Sequence, residues 1–218
     1  MMKRFILFDK YNTAYDWGLL LTAKAVTDPA PKTNYQKLDG VSGSLDLTEA
    51  LTGEVTYEDR TLTASFSLSE GTKQEREVIV RKIVTTLHGR KVSIVEPDDP
   101  EHYLVGRVSI KGFMNSLAYS TLDIEATCEP WRYAVNESER RVVVKNNSTD
   151  VVICNTGTKT VCPVITVTGT VRITDNGVTT ELPEGSYKIT DIRLKTGANV
   201  IGVEGTGVVT FTYREATL

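Results

Sequence analysis

Asp98, Asp99, Glu101 and His102 form the densest ionisable group of this chain. Carboxylates beside an imidazole can hold a divalent cation, or exchange protons in a hydrolytic reaction. Their setting argues against both. Pro97 and Pro100 bracket the two aspartates, and Glu96-Pro97-Asp98-Asp99-Pro100 reads as a rigid, solvated turn that forbids strand pairing inside it. Neighbouring residues of a strand also point to opposite faces. The other histidine, His88, falls at the end of an expected helix, where the helix dipole favours it. Cys128, Cys154 and Cys162 contain no C-x-x-C pair and are too few for a tetrahedral zinc site, so they read as buried free thiols.

Three loop motifs fail on inspection. Asp39-Gly40-Val41-Ser42-Gly43-Ser44-Leu45-Asp46 lacks the alternating ligands and distal glutamate of a calcium loop. It also has Ser44 where the second glycine of a nucleophile elbow belongs. No glycine-rich phosphate loop precedes a helix, and Gly202-Val-Glu-Gly205-Thr-Gly207 reads as a turn between two strands. The chain is therefore expected to be no enzyme and to carry neither metal nor cofactor. Pro130-Trp131-Arg132-Tyr133 offers flat faces for stacking, yet reads better as an anchor at the edge of a core or interface.

The elements around these residues follow from periodicity. Leu62, Ala64, Phe66 and Leu68 alternate with Thr61, Thr63, Ser65 and Ser67, which predicts a strand with one buried and one wet face. Thr72-Lys73-Gln74-Glu75 is a capping box, followed by Val80, Ile83, Val84 and Leu87 on one helical stripe and by Gly89 at the expected left-handed stop. Lys91 to Val95 and His102 to Ile110 read as a hairpin, and Leu122, Ile124, Ala126 and Cys128 as the buried side of another strand. Beyond Asn136-Glu-Ser-Glu-Arg140, a hinge or linker by composition, everything reads as β. The short runs are Val142–Val144, Val161–Val167, Tyr187–Leu194, Val200–Val203 and Val208–Tyr213, and Asn176-Gly177 suits a type I′ turn. The expected architecture is an α+β domain over residues 1–135 and an all-β sandwich over 136–218.

Charge and hydropathy exclude further classes. With 218 residues, 25 basic and 28 acidic, the chain is nearly neutral and lacks the basic footprint of a nucleic-acid binder. No apolar run is long enough to cross a bilayer, so no membrane insertion is expected. The start, MMKRFILFDKYNTAYDWG, lacks a signal-peptide core, which points to synthesis and assembly in a cytoplasm.

In order, these pieces resemble the distal tail proteins of long-tailed, non-contractile bacteriophages. The likeness rests on Gly40-x-x-Gly43-x-x-Asp46, then Tyr57-Glu-Asp-Arg60 before an alternating strand, and the helix end Leu87-His88-Gly89-Arg90. It continues with Asp98-Asp99-Pro100, Tyr103-Leu-Val-Gly106-Arg107 and Pro130-Trp131-Arg132-Tyr133. Asn155-Thr-Gly157, Pro163, Gly169 and Gly197-Ala-Asn199 fit the lectin-like second domain. The resemblance implies a β-sandwich with one helix and a projecting hairpin, followed by a lectin-like (galectin or jelly-roll type) sandwich. It also implies a structural virion protein of the tail tip or baseplate, assembled in the bacterial host cytoplasm. Its first domain would form a homohexameric ring, single or as two stacked rings, that joins the tail tube protein to tail-tip, fibre or receptor-binding proteins and lets DNA pass. A cyclic ring needs two different patches on each subunit. The hairpin supplies one candidate, with Lys91, Val95, Tyr103, Val105 and Arg107. Near-neutral charge suits a channel wall that must not grip phosphates. The alternative is a carbohydrate-binding module, for which Tyr187, Phe211 and Tyr213 are a thin supply of aromatic platforms.

Overall fold

The computed structural model describes residues 5–40 and 42–218; the basic start at residues 1–4 and Val41 lie outside the described residues. The chain divides into two compact units, one ending at Pro130 and the other spanning Trp131–Leu218.

The first unit holds β1 (Leu7–Phe8), β2 (Tyr11–Asn12), β3 (Leu20–Val26), β4 (Tyr35–Lys37), β5 (Ser44–Asp46), β6 (Arg60–Leu68), α1 (Lys73–Leu87), β7 (Lys91–Glu96), β8 (Asp99–Asn115) and β9 (Ser120–Cys128). Its main sheet runs β2-β1-β7-β8-β9-β6-β3. The alternation expected of β6 and β9 is present: Leu62, Ala64, Phe66 and Leu68 are buried with Leu122, Ile124, Ala126 and Cys128, whereas the intervening Thr and Ser side chains face outward. The sheet coils, because Lys24 on the edge strand β3 bonds Glu96 at the end of β7. Irregular pairings at Leu21/Ala23, Ile94/Glu96 and Ile110/Gly112 help it to bend.

Helix α1 closes this core with Val80, Ile83 and Leu87. Its capping box is formed reciprocally: Glu75 N donates to Thr72 Oγ1 at 3.3 Å, and Thr72 N donates to Glu75 Oε2 at 2.7 Å. These bonds hold the Glu75 carboxyl below the usual carboxylate range. Gly89 takes φ +75°, and its amide donates to Val108 O at 2.8 Å, turning the chain from the helix onto β8.

The acidic turn is tighter than expected. Glu96 pairs with Asp99, so Pro97 and Asp98 alone make the turn, and Asp99 and Pro100 open a strand. The irregular pairing between Ile94 and Glu96 absorbs Pro100, whose missing N–H then interrupts no ladder bond.

The second unit holds β10 (Arg132–Ala134), β11 (Ser138–Asn155), β12 (Val164–Asp175), β13 (Val178–Leu182), β14 (Gly185–Lys188), β15 (Gly197–Tyr213) and β16 (Ala216–Thr217). Strands run β11-β15-β12-β13, with β14 also on β12, around a core of Val, Ile, Leu and Phe211. Asn176 and Gly177, at φ +49° and +80°, join β12 to β13 in the expected two-residue turn.

Three expectations for this half are corrected. Ser138, Glu139 and Arg140 are no linker but the start of β11, paired with Tyr213, Thr212 and Phe211. The run Tyr187–Leu194 leaves strand geometry at Lys188; Ile192 and Leu194 are buried from a turn and an isolated bridge. The cluster Gly202–Gly207 is no turn, because β15 continues through it. Gly207 faces Gly169, Gly205 faces Val171, and the irregularity beside Asn146 on β11 falls at the same level, so three strands bend along one line. A β-carbon at Gly207 would overlap the carbonyl oxygen of Thr168, and one at Gly205 would stand 2.5 Å from that of Thr170. The glycines are needed because backbones approach closely at this bend.

Candidate functional site

The five residues proposed from the hairpin all fall on one side of the sheet. Along β7 and β8 the buried apolar side chains are Val92, Ile94, Leu104 and Val108, so Lys91, Val95, Tyr103, Val105 and Arg107 project to the opposite face. The register sets Lys91 opposite Arg107 and Ser93 opposite Val105. β7 lies between β1 and β8, and β8 pairs with β9 from Gly106 onward.

Lys91, Val105 and Arg107 line an open concavity of about 680 Å³ with His88, Lys111, Glu125 and Glu129. Its charges alternate: Lys91 Nζ meets Glu129 Oε1 at 2.6 Å, and Lys111 Nζ meets Glu125 Oε1 at 3.0 Å. Arg107 Nη1 donates to Gly89 O at 2.5 Å, and the Ile110 amide donates to His88 Nδ1 at 3.1 Å, tying the helix end to β8. Exposed ion pairs of this kind contribute little to stability but set orientation and register between surfaces.

The acidic group at the hairpin tip is dispersed. Asp98 lies 3.1 Å from Lys24 Nζ, and Asp99 Oδ1 lies 2.7 Å from His102 Nδ1. Among the described residues no group of three or more His, Cys, Asp or Glu side chains converges on one point. The thiols are not uniformly buried. Cys128 is fully enclosed, and burial pushes its thiol up to about 11, while Cys162 is half-buried and Cys154 is exposed.

The remaining motif residues do structural work in separate places. Gly40 and Gly43 take φ +81° and +91° in the turn between β4 and β5. Asp46 Oδ1 accepts from the Thr48 amide at 2.9 Å, and bonds from Thr48 hold its carboxyl below the usual range. Tyr57 forms an isolated bridge with Pro31. Arg60 is buried, with Nη2 donating to Pro130 O. Gly106 is required where Cys128 Sγ and the Thr127 carbonyl press on the backbone. In the second unit, Trp131 and Tyr133 share one cation: Lys159 Nζ stands 5.4 Å and 4.8 Å from their ring centres and 3.0 Å from Tyr133 Oη. Of the three aromatics considered as sugar platforms, Phe211 and Tyr213 are buried and the Tyr187 hydroxyl donates to Pro183 O.

Two features escaped the sequence reading. The first is Arg76, buried on α1, whose guanidinium bonds Gly71 O, Ser116 O, Leu117 O and Ser120 Oγ. A charged residue inside an expected helix looks solvent-facing, and no local signal distinguishes it. The second is the segment joining β3 to β6, residues 27–59. None of its described residues is buried, although β4 and β5 pair within it and Thr48, Asn34, Pro31 and Tyr57 order it. Tyr35, Leu38, Leu45 and Leu51 are exposed on it.

Neither a family model nor a curated protein matches this sequence. Among solved structures the chain is similar to the Dit (gp 19.1) protein of phage SPP1, at TM-score 0.71 and 16% identity, covering 99% of both chains. That protein is described as a paradigm of the hub adsorption apparatus in phages that infect Gram-positive bacteria. At this identity the likeness establishes the fold: a mostly β protein with one helix in its first part and a lectin-like sandwich in its second.

Proposed function

We propose that this chain is a structural protein of a bacteriophage tail tip, the hub that joins the tail tube to the adsorption apparatus. The observation that carries the reading is the likeness in fold to a phage hub protein over nearly the full length of both chains. The first unit associates with copies of itself into a ring of six, singly or as two stacked rings, with a channel for DNA. The tail tube protein and the tail-tip, fibre or receptor-binding proteins are its neighbours in the virion. A net charge of −3 suits a channel that lets the genome slide, since a ring of basic side chains would hold phosphates and brake it. The alternating ion pairs on the β7–β8–β9 face supply orientation between subunits, and Lys91, Val95, Tyr103, Val105 and Arg107 form one contact patch. Docking of other tail proteins fits the second unit better than sugar binding, because Lys159 stands over the rings of Trp131 and Tyr133 and Phe211 is buried.

Light scattering over a concentration series tests the reading. A mass near six or twelve times 24.1 kDa supports the ring. A chain that stays monomeric up to the highest attainable concentration, and also fails to assemble on tail tubes seen by electron microscopy, refutes it.

A further inference from the structure

We infer that the groove between α1 and the turn after β2 docks an amphipathic helix of a partner protein, with apolar side chains along one stripe and lysine or arginine beside it. The inference goes beyond the ring reading and does not depend on it.

The groove has a volume of about 810 Å³ and is lined by Tyr15, Trp17, Leu68, Val78 and Ile79. Trp17 and Leu68 belong to the core and make its floor. Tyr15 and Val78, 77% and 64% exposed, make its walls. Folding accounts for neither wall. Val78 is the one large apolar side chain among the exposed residues of α1, whose other exposed positions are polar or charged. A β-branched residue lowers helix propensity, so helix formation does not favour it there. Tyr15 sits in a turn that orders itself by polar bonds. Asn12 Oδ1 accepts the amides of Ala14 at 3.0 Å and Tyr15 at 3.1 Å, and Asp16 Oδ2 accepts that of Asn12 at 2.6 Å. The Tyr15 ring meets Phe5 at 6.1 Å, and Trp17 stacks on Tyr11 at 5.4 Å. Across the groove, the capping box fixes the first turn of α1. Both walls are therefore set before a guest arrives, which keeps the ordering cost of binding low.

Two features select the guest. The first is charge. Among the described residues, the charged side chains that line the groove are Glu70 and Glu75, both carboxylates. The bonds of the cap hold the Glu75 carboxyl in its ionised form. An apolar cleft with an acidic margin complements a guest that is apolar and basic, and disfavours an acidic one. The second feature is the lack of an open ladder. The groove is bounded by a helix, a turn and the end of β6, and β6 lies between β3 and β9. An extended guest would find no strand edge to join there, whereas a helix pairs its own backbone groups. Apolar residues at i, i+3, i+4 and i+7 of such a helix would cover Trp17 and Leu68, and flanking lysines would reach the two carboxylates.

The test uses the full chain carrying Trp131→Phe, so that Trp17 is the fluorescent reporter. The probes are two synthetic peptides of about five helical turns. Both carry leucine at i, i+3, i+4 and i+7; one has lysine and the other glutamate at the flanking positions. The lysine peptide is expected to shift Trp17 emission saturably and to bind about tenfold more tightly than the glutamate peptide. Val78→Ser removes an apolar wall and Glu70→Lys reverses the margin, and each is expected to weaken the lysine peptide by about tenfold. Both residues are exposed, and circular dichroism checks that each variant keeps the fold of the parent. A lysine peptide that leaves Trp17 emission unchanged, or binds no better than the glutamate peptide, overturns the assignment. So does an affinity that stays within about twofold of the parent on either variant.

Discussion

Arg76 gives the sharpest test of how the first unit is held together. Its side chain is 1% exposed, and its neighbours are neutral acceptors. Nε donates to Ser120 Oγ at 2.9 Å, Nη1 to Gly71 O at 2.6 Å, and Nη2 to Ser116 O at 2.6 Å and Leu117 O at 3.2 Å. Ser120 Oγ passes the network to Asn115, whose Nδ2 donates to Lys73 O at 3.1 Å. One guanidinium thus fastens the first turn of α1 to the loop between β8 and β9. Arg76→Met keeps the aliphatic stem and removes every donor. Each buried acceptor left unpaired costs about 1–3 kcal/mol. Water reaches part of the site, since Leu117 is 90% exposed, and loss of the buried charge refunds some desolvation. The net destabilisation is roughly 2–4 kcal/mol. Arg76→Lys keeps the charge and fewer bonds, and should fall between the two. Urea unfolding followed by Trp17 fluorescence in a Trp131→Phe background isolates this unit from the second. An unfolding free energy for Arg76→Met within about 0.5 kcal/mol of the parent would refute the network as a stabilising element.

The other predictions concern the bend, the cap and the thiols. Gly207→Ala puts a β-carbon into the Thr168 carbonyl at φ +151° and should cost about 3 kcal/mol or more, or prevent the second unit from folding, as read by circular dichroism. Gly43→Ala, with nothing near its β-position, should cost much less. The lowered Glu75 carboxyl contributes stability above the ordinary carboxylate range and loses it as pH falls through its folded value; Glu75→Gln should therefore flatten the acid limb of a stability–pH curve. With Cys128 raised to about 11 by burial, the thiolate is disfavoured in the folded state, so stability should fall between about pH 9 and 11, and Cys128→Ala should remove that loss. Thiol labelling at pH 8 should modify Cys154 first and Cys128 upon unfolding; early labelling of Cys128 would contradict its enclosure.

Local signals that report a local cause could be read from the sequence. Thr72 and Glu75 make the capping box they spell, Gly89 stops the helix at positive φ, and Asn176-Gly177 makes its turn because two-residue hairpins demand two positive φ values. The side-chain alternation of β6 and β9 is legible because each strand has one buried face. Gly205 and Gly207 were misread because glycine marks turns and close backbone contacts alike. The contact that explains them comes from Thr168 and Thr170, distant in sequence. Pro100 was misread for a similar reason: it looks like a strand breaker until an irregular pairing accommodates it. Arg76 was invisible since its acceptors are backbone carbonyls, which carry no residue signature.

The segment joining β3 to β6 carries no readable signal for a different reason. Periodicity in a sequence records burial: a strand alternates when its own chain covers one face. Residues 27–59 show no such period, although backbone pairing and Asx-type bonds at Asp46 and Thr48 order them. Their order rests on backbone pairing and short polar bonds, which leave no apolar period in the sequence. The two situations meet at Arg60: from there to Leu68 every second side chain is buried, and among the described residues from 27 to 59 none is. The change from aperiodic to alternating sequence at that point marks where burial in the chain's own core resumes.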